Sequence, residues 1–354
     1  MTGTEVSTNA KLDFIKSEID NASRETIDRI YSIINTASPE VKQRIDSFMS
    51  SIGLTFIRDN IIGIFERNGN LLKFIDYING GKMLKFTDIV NNSSGNIFDI
   101  ISSKTEFDRN TIQRLSREKS SPNGVQVGEY EFLLRLMVQN ASETLTCRRG
   151  DVTADGIAVE VKSGKPRITS AKTKHAGIIR ETLNKELSKR YGDKISPIGV
   201  ERFNGKGGRK VYNQFFEDIY DEMSNIDKNA KGHLSEIFAN MYMCQWPEDV
   251  TVYTDILERA ASKHLFSGNK VDVNAAANLA ASIGLFCYAC TENFDRFLVF
   301  NKTTGDFECI NAQTKNESLI EDIYDKFDGG RFHITILQNE LDNLQGKGIQ
   351  FTLK

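Results

Sequence analysis

Asp155-Gly156 stands between two β-rich runs, Val152-Thr153-Ala154 and Ile157-Ala158-Val159-Glu160-Val161, and fixes more of the fold than any other pair of residues in the chain. Asp-Gly in that setting signals a two-residue hairpin, because a type I′ turn needs positive φ at both central positions. The register follows: Ala154 faces Ile157, Thr153 faces Ala158, Val152 faces Val159 and Asp151 faces Glu160. Side chains alternate along a strand, so Asp151, Glu160 and Lys162 project from one face, and Val152, Val159 and Val161 from the other. Two carboxylates directly opposite each other, with Cβ atoms roughly 5 Å apart, repel. A divalent cation would relieve that repulsion, and hard oxygen ligands suit Mg²⁺, with Mn²⁺ as a substitute. Hydrolysis of a phosphodiester needs a metal to activate water, positive charge where the phosphoryl group becomes negative, and a positioned ammonium group. Asp151, Glu160 and Lys162 are a minimal set for that chemistry, and a solvated hairpin face is the plain alternative.

Asp151, the hairpin and Glu160-Val161-Lys162 together resemble the PD-(D/E)XK nuclease superfamily, which covers restriction enzymes, Holliday-junction resolvases and many phage and repair nucleases. Gly128-Glu129, opening the apolar helix expected over Glu129 to Gln139, is similar to the family's first motif. The expected order of helix, three strands, helix and strand between Val125 and Phe203 is similar to its core. Gly150 departs from the pattern, standing where a proline often precedes the Asp. The resemblance implies an α/β fold with a restriction-endonuclease-like αβββαβ core and a Mg²⁺-dependent deoxyribonuclease activity. It implies metal ligation by Asp151, Glu160 and the backbone carbonyl of Val161, with Lys162 orienting or activating the attacking water. Glu129 would complete the metal sphere directly or through water. Phe132, Leu133 and Leu136 follow Glu129 at helical spacing, which favours it as the helix acid, with Glu131 as the alternative.

The chain carries 45 Lys plus Arg against 48 Asp plus Glu, a net charge of −3. That balance excludes a uniformly cationic binder and leaves local patches open. Lys162, Lys165, Arg167, Lys172, Lys174, Arg180, Lys185, Lys189, Arg190 and Lys194 face only Glu181, Glu186 and Asp193 in the same stretch. A run of this density beside an acidic pocket suits a phosphate backbone, and a solvated helix face is the alternative. A second basic stretch, Arg202 to Lys210, is rich in glycine and adds Lys206, Arg209 and Lys210. Its backbone amides could approach phosphates, while a surface loop is the alternative. It lacks the Gly-Lys-Ser/Thr ending of a P-loop, so nucleotide hydrolysis is not indicated. DNA is therefore the expected partner, through Lys165, Arg167, Lys172, Lys174, Arg180, Lys206, Arg209 and Lys210, and a homodimer stays open. A non-catalytic DNA-binding or virion-associated protein that keeps the same fold is the reading from another class.

A length of 354 residues calls for two or three domains. The expected division is a helical domain over 1–120, the nuclease-like core over 121–210 and a mixed α/β region over 211–354. Helical spacing marks Lys11 to Ile19, Glu25 to Ile34, Pro39 to Ile52 and Leu71 to Ile78, then Thr169 to Arg190, Tyr212 to Met223, Leu234 to Met243, Thr251 to His264 and Asn274 to Ile283. Strands are expected over Glu143 to Thr153, Ile195 to Phe203, Leu285 to Cys290, Arg296 to Asn301, Asp306 to Ile310 and Arg331 to Gln338, with a hairpin turn at Thr303 to Asp306. The N-terminus has no secretory pattern, and the uncharged run Val273 to Thr291 reads as a buried helix followed by a strand. An intracellular, cytoplasmic protein with no membrane association, phage-encoded or bacterial, is expected. Five cysteines suggest no disulfide framework, and Cys287-x-x-Cys290 is a weak zinc signal beside the reading of buried apolar thiols. The four histidines show no pairing, and Trp246 and the 22 phenylalanines read as core.

Overall fold

The computed structural model describes residues 39–80, 84–118, 128–143, 150–166, 168, 177–198, 209–272, 274–335 and 350–354. The expected helices over Lys11 to Ile19 and Glu25 to Ile34 lie outside these residues. The protein is mixed α/β and divides into two compact units, Met1–Ile89 with Asn96–Glu143, and Val90–Gly95 with Thr144–Lys354. The boundaries expected near 120 and 210 do not coincide with this division, because the hairpin and the C-terminal third share one sheet.

In the first unit the helices are α1 (Pro39–Ser51), α2 (Arg58–Arg67), α3 (Leu71–Gly80), α4 (Thr87–Val90), α5 (Ile97–Lys104), α6 (Arg109–Ser116) and α7 (Glu131–Met137). Apolar residues at helical spacing bury one stripe of each long helix, and rings fill the space between them. Phe65 of α2 stacks on Phe74 of α3 with centroids 4.2 Å apart, and Phe107 packs against Phe65 at 5.2 Å. Asp108 caps α6: its Oδ1 accepts from the Thr111 amide at 3.0 Å, and its Oδ2 accepts from the Thr111 hydroxyl and from the buried Asn70 amide group.

The second unit is built on a sheet of β1 (Ser94–Asn96), β3 (Val152–Ala154), β4 (Ile157–Ser163), β7 (Arg296–Phe300) and β8 (Asp306–Asn311), in the order β1-β8-β7-β4-β3. Here β2 (Ser142–Glu143) closes the first unit, and β5 (Phe266–Ser267) with β6 (Lys270–Val271) forms a small separate hairpin. The expected Asp155-Gly156 hairpin is present in the expected register, Val152 with Val159, Thr153 with Ala158 and Ala154 with Ile157. Asp155 and Gly156 have φ of 50° and 78°, the two positive values that the turn requires. The β7-β8 hairpin also forms as expected, with Gly305 at φ 79° and its amide on the Asn301 carbonyl.

β4 and β7 run parallel, so the chain must cross over between them. That connection holds α8 (Gly177–Tyr191), α9 (Arg209–Ser224), α10 (Ala230–Met243), α11 (Thr254–His264) and α12 (Ala275–Glu292). The last elements are α13 (Glu317–Asp328), β9 (Phe332–Thr335) and β10 (Gln350–Leu353), the two strands pairing antiparallel.

Ile195 and Ile198 are buried but 195–198 form no strand, and residues 199–203 lie outside those described. Pro197 has no amide to give to a ladder, and the neighbour of β4 is instead β7, far along the chain. Leu285 to Cys290 is not a strand: it is the C-terminal half of α12. That helix is buried on nearly every side, so its residues show no amphipathic period, and it ends only at Asn293, left-handed at φ 54°.

Candidate functional site

The hairpin brings three of the expected residues together. Glu160 and Lys162 lie two apart on β4 and share one face of the sheet, while Asp151 leads into β3. The ladder ends at Val152, so Asp151 does not extend it opposite Glu160. Its amide donates to the Val159 carbonyl at 2.8 Å, and its carboxylate Oδ2 accepts from the Val161 amide at 2.9 Å. The cause is Gly150, which turns the chain at φ 74° and brings its backbone against Val159; a Cβ there would lie 2.5 Å from the Val159 oxygen. Proline, fixed near φ −65°, cannot occupy this position.

Glu160 is only 4% exposed. Lys162 Nζ ion-pairs with Glu160 Oε1, stands 3.5 Å from Asp151 Oδ2 and donates to the Val161 carbonyl at 3.3 Å. Burial pushes the Glu160 carboxyl above its ordinary value, against the pull of the Lys162 charge. Burial would lower the Lys162 ammonium, but the carboxylates of Asp151 and Glu160 outweigh it and hold the group well above its ordinary value, so it stays charged. The lysine therefore offsets one of the two carboxylate charges.

A fourth member, Tyr288 of α12, carries no signal in the sequence. Its hydroxyl donates to Glu160 Oε1, and Lys162 Nζ lies 5.9 Å from its ring centroid. Tyr288 is 6% exposed, and burial drives its phenol far above the ordinary range, so it remains a donor. It sat in an apolar run without pattern, and only the crossover brings it over β4.

The other expected residues are placed differently. Glu129 belongs to the first unit and lies in the turn before α7, not on the helix. Tyr130, at φ 66°, breaks the helical phase, so the spacing to Phe132, Leu133 and Leu136 does not put Glu129 on their stripe. Glu131 is the first helical residue. Asp151, Glu160 and the Val161 carbonyl are oxygen groups that Lys162 contacts in the second unit's hairpin. Among the described residues, no group of three or more His, Cys, Asp or Glu side chains could hold a metal ion.

Lys165 is exposed just beyond β4, and Arg180 is half-buried on α8. Ile179, Leu183, Leu187 and Tyr191 form the buried stripe of α8, which leaves Lys185 and Lys189 exposed. Arg190 is engaged by Glu236 of α10 and by Glu186. Arg209 and Lys210 begin α9 rather than closing a loop. Arg167, Lys172, Lys174 and Lys206 lie outside the described residues. Cys244, Cys287, Cys290 and Cys309 are free thiols, and burial pushes Cys290 and Cys309 up to about 12, as expected of apolar thiols. Among the described residues, no helix is long and apolar enough to cross a membrane. No protein-family model matches the chain, and no curated protein or solved structure matches it.

Proposed function

We propose that the protein is a metal-dependent DNA nuclease of the PD-(D/E)XK type that hydrolyses phosphodiester bonds at the Asp151, Glu160 and Lys162 cluster. The observation that carries this is the convergence of two carboxylates and one ammonium at a hairpin end, with Glu160 buried and charge-paired rather than spread over a solvated face. The order of elements supports it once β7 replaces Ile195 to Phe203 as the final strand: β3 and β4 antiparallel, a helical crossover, then β7 parallel to β4.

Asp151, Glu160 and the Val161 carbonyl would hold the ion, and their hard oxygen chemistry fits Mg²⁺ or Mn²⁺. When bound, such an ion supplies Lewis-acid stabilisation of the phosphoryl oxygens and a more acidic water. Lys162 places a fixed positive charge where negative charge grows during attack, with the Tyr288 ring 5.9 Å from its Nζ. Lys165 and the exposed Lys185 and Lys189 supply phosphate contacts that set affinity without reading sequence.

One observation favours a second reading, a non-catalytic DNA-binding or virion-associated protein: Lys162 already ion-pairs with both carboxylates without an ion. Supercoiled, linear, branched and single-stranded DNA incubated with Mg²⁺, with Mn²⁺ and with EDTA separates the two. Cleavage that EDTA abolishes is expected. DNA retention on gels without cleavage of any substrate would favour the second reading.

A further inference from the structure

We propose that Tyr288 is a positioning residue for the cation site, acting through Glu160; this rests on the nuclease reading above. Tyr288 comes from α12, the last helix of the crossover, whereas Glu160 comes from β4. Its ring is held on two sides, by Trp246 with centroids 6.2 Å apart and by Phe294 at 5.6 Å, so its hydroxyl has a fixed direction. That hydroxyl donates to Glu160 Oε1, the same oxygen that Lys162 contacts. Both donors therefore load Oε1, which leaves Oε2 as the oxygen of this carboxylate that remains for a cation. A buried carboxylate with one oxygen fixed in this way cannot rotate, so it meets an ion without first being ordered. A tyrosine is suited to the task because it donates one hydrogen bond without adding a charge that would compete with the ion. A lysine alone would not suffice, since its flexible stem leaves the carboxylate free to turn.

The test removes one oxygen atom. Tyr288→Phe and, separately, Tyr220→Phe, at a buried tyrosine that packs on Phe266, are titrated with Mn²⁺ by electron paramagnetic resonance beside the wild-type chain, and cleavage is followed against Mg²⁺ concentration. The expected result is native circular dichroism for both variants and a Mn²⁺ affinity about tenfold weaker for Tyr288→Phe. The Mg²⁺ concentration for half-maximal cleavage rises by the same factor while KM for DNA is unchanged, and Tyr220→Phe stays within about twofold of wild type. Wild-type affinity in Tyr288→Phe would overturn the inference alone. Equal losses in both variants, or a Tyr288→Phe chain that no longer folds, would assign the hydroxyl to packing and overturn it as well. A wild-type chain that binds no Mn²⁺ would overturn the nuclease reading, and this inference with it.

Discussion

A left-handed glycine and a helix-capping aspartate set the chemistry of their surroundings. Gly150 occupies φ 74° with its Cα pressed on the backbone of Val159, and the position of the Asp151 carboxylate depends on that turn. Gly150→Ala adds both left-handed strain and a collision, so a loss of about 1–3 kcal/mol is expected from denaturant unfolding. The same variant should show weakened Mn²⁺ binding. Asp108 is the corresponding case in the first unit. Burial alone would raise its carboxyl, but the hydrogen bonds from Thr111 and Asn70 outweigh that and hold it below the ordinary 3.8. Its contribution is therefore complete above pH 3.8 and is lost as pH falls toward the depressed folded value. Asp108→Ala should lose about 1 kcal/mol at neutral pH, and the gap to wild type should narrow below about pH 4, measured by thermal unfolding across pH. At this scale alternation placed Glu160 and Lys162 on one face of β4, whereas Asp151, expected opposite Glu160, reaches them only from outside the ladder. The sequence could not show that Glu129 precedes a left-handed Tyr130, since φ at a tyrosine has no composition signal.

Among the elements, the hairpin was legible and the crossover was not. Asp155-Gly156 carries its geometry in two adjacent residues, so register followed without tertiary information. Gly156 shares a positive φ with Gly150 but has open space around it, so Gly156→Ala should cost only the left-handed strain, about 1–2 kcal/mol, with the site's Mn²⁺ affinity retained. Parallel pairing of β4 with β7 depends on residues separated by the whole helical crossover, and in Ile195 to Phe203 only Pro197 argues locally against a place in the sheet. α12 misled for a related reason. A helix buried all round loses the alternation of apolar and polar faces, and Gly284 looked like a boundary when it is the place where Ile168 packs against the helix. Tyr288 was hidden by the same uniform burial.

For the whole molecule, a net charge of −3 coexists with a locally cationic surface. The structure narrows that surface, because Arg190 is held by Glu236 and Glu186 while Lys165, Lys185 and Lys189 remain exposed. Replacing those three lysines by alanine should lower the slope of log affinity against log salt by about 2–3 while leaving cleavage chemistry at saturating DNA intact. An unchanged slope would place the DNA elsewhere. The most direct measurement of the central claim is the single-turnover rate of DNA cleavage in Mg²⁺ by the wild-type chain and by Asp151→Ala, Glu160→Ala and Lys162→Ala. The expected result is cleavage by the wild type and a loss on the order of 100-fold or more in each variant, with DNA affinity little changed. Metal-dependent cleavage that survives all three substitutions would contradict the assignment of the site.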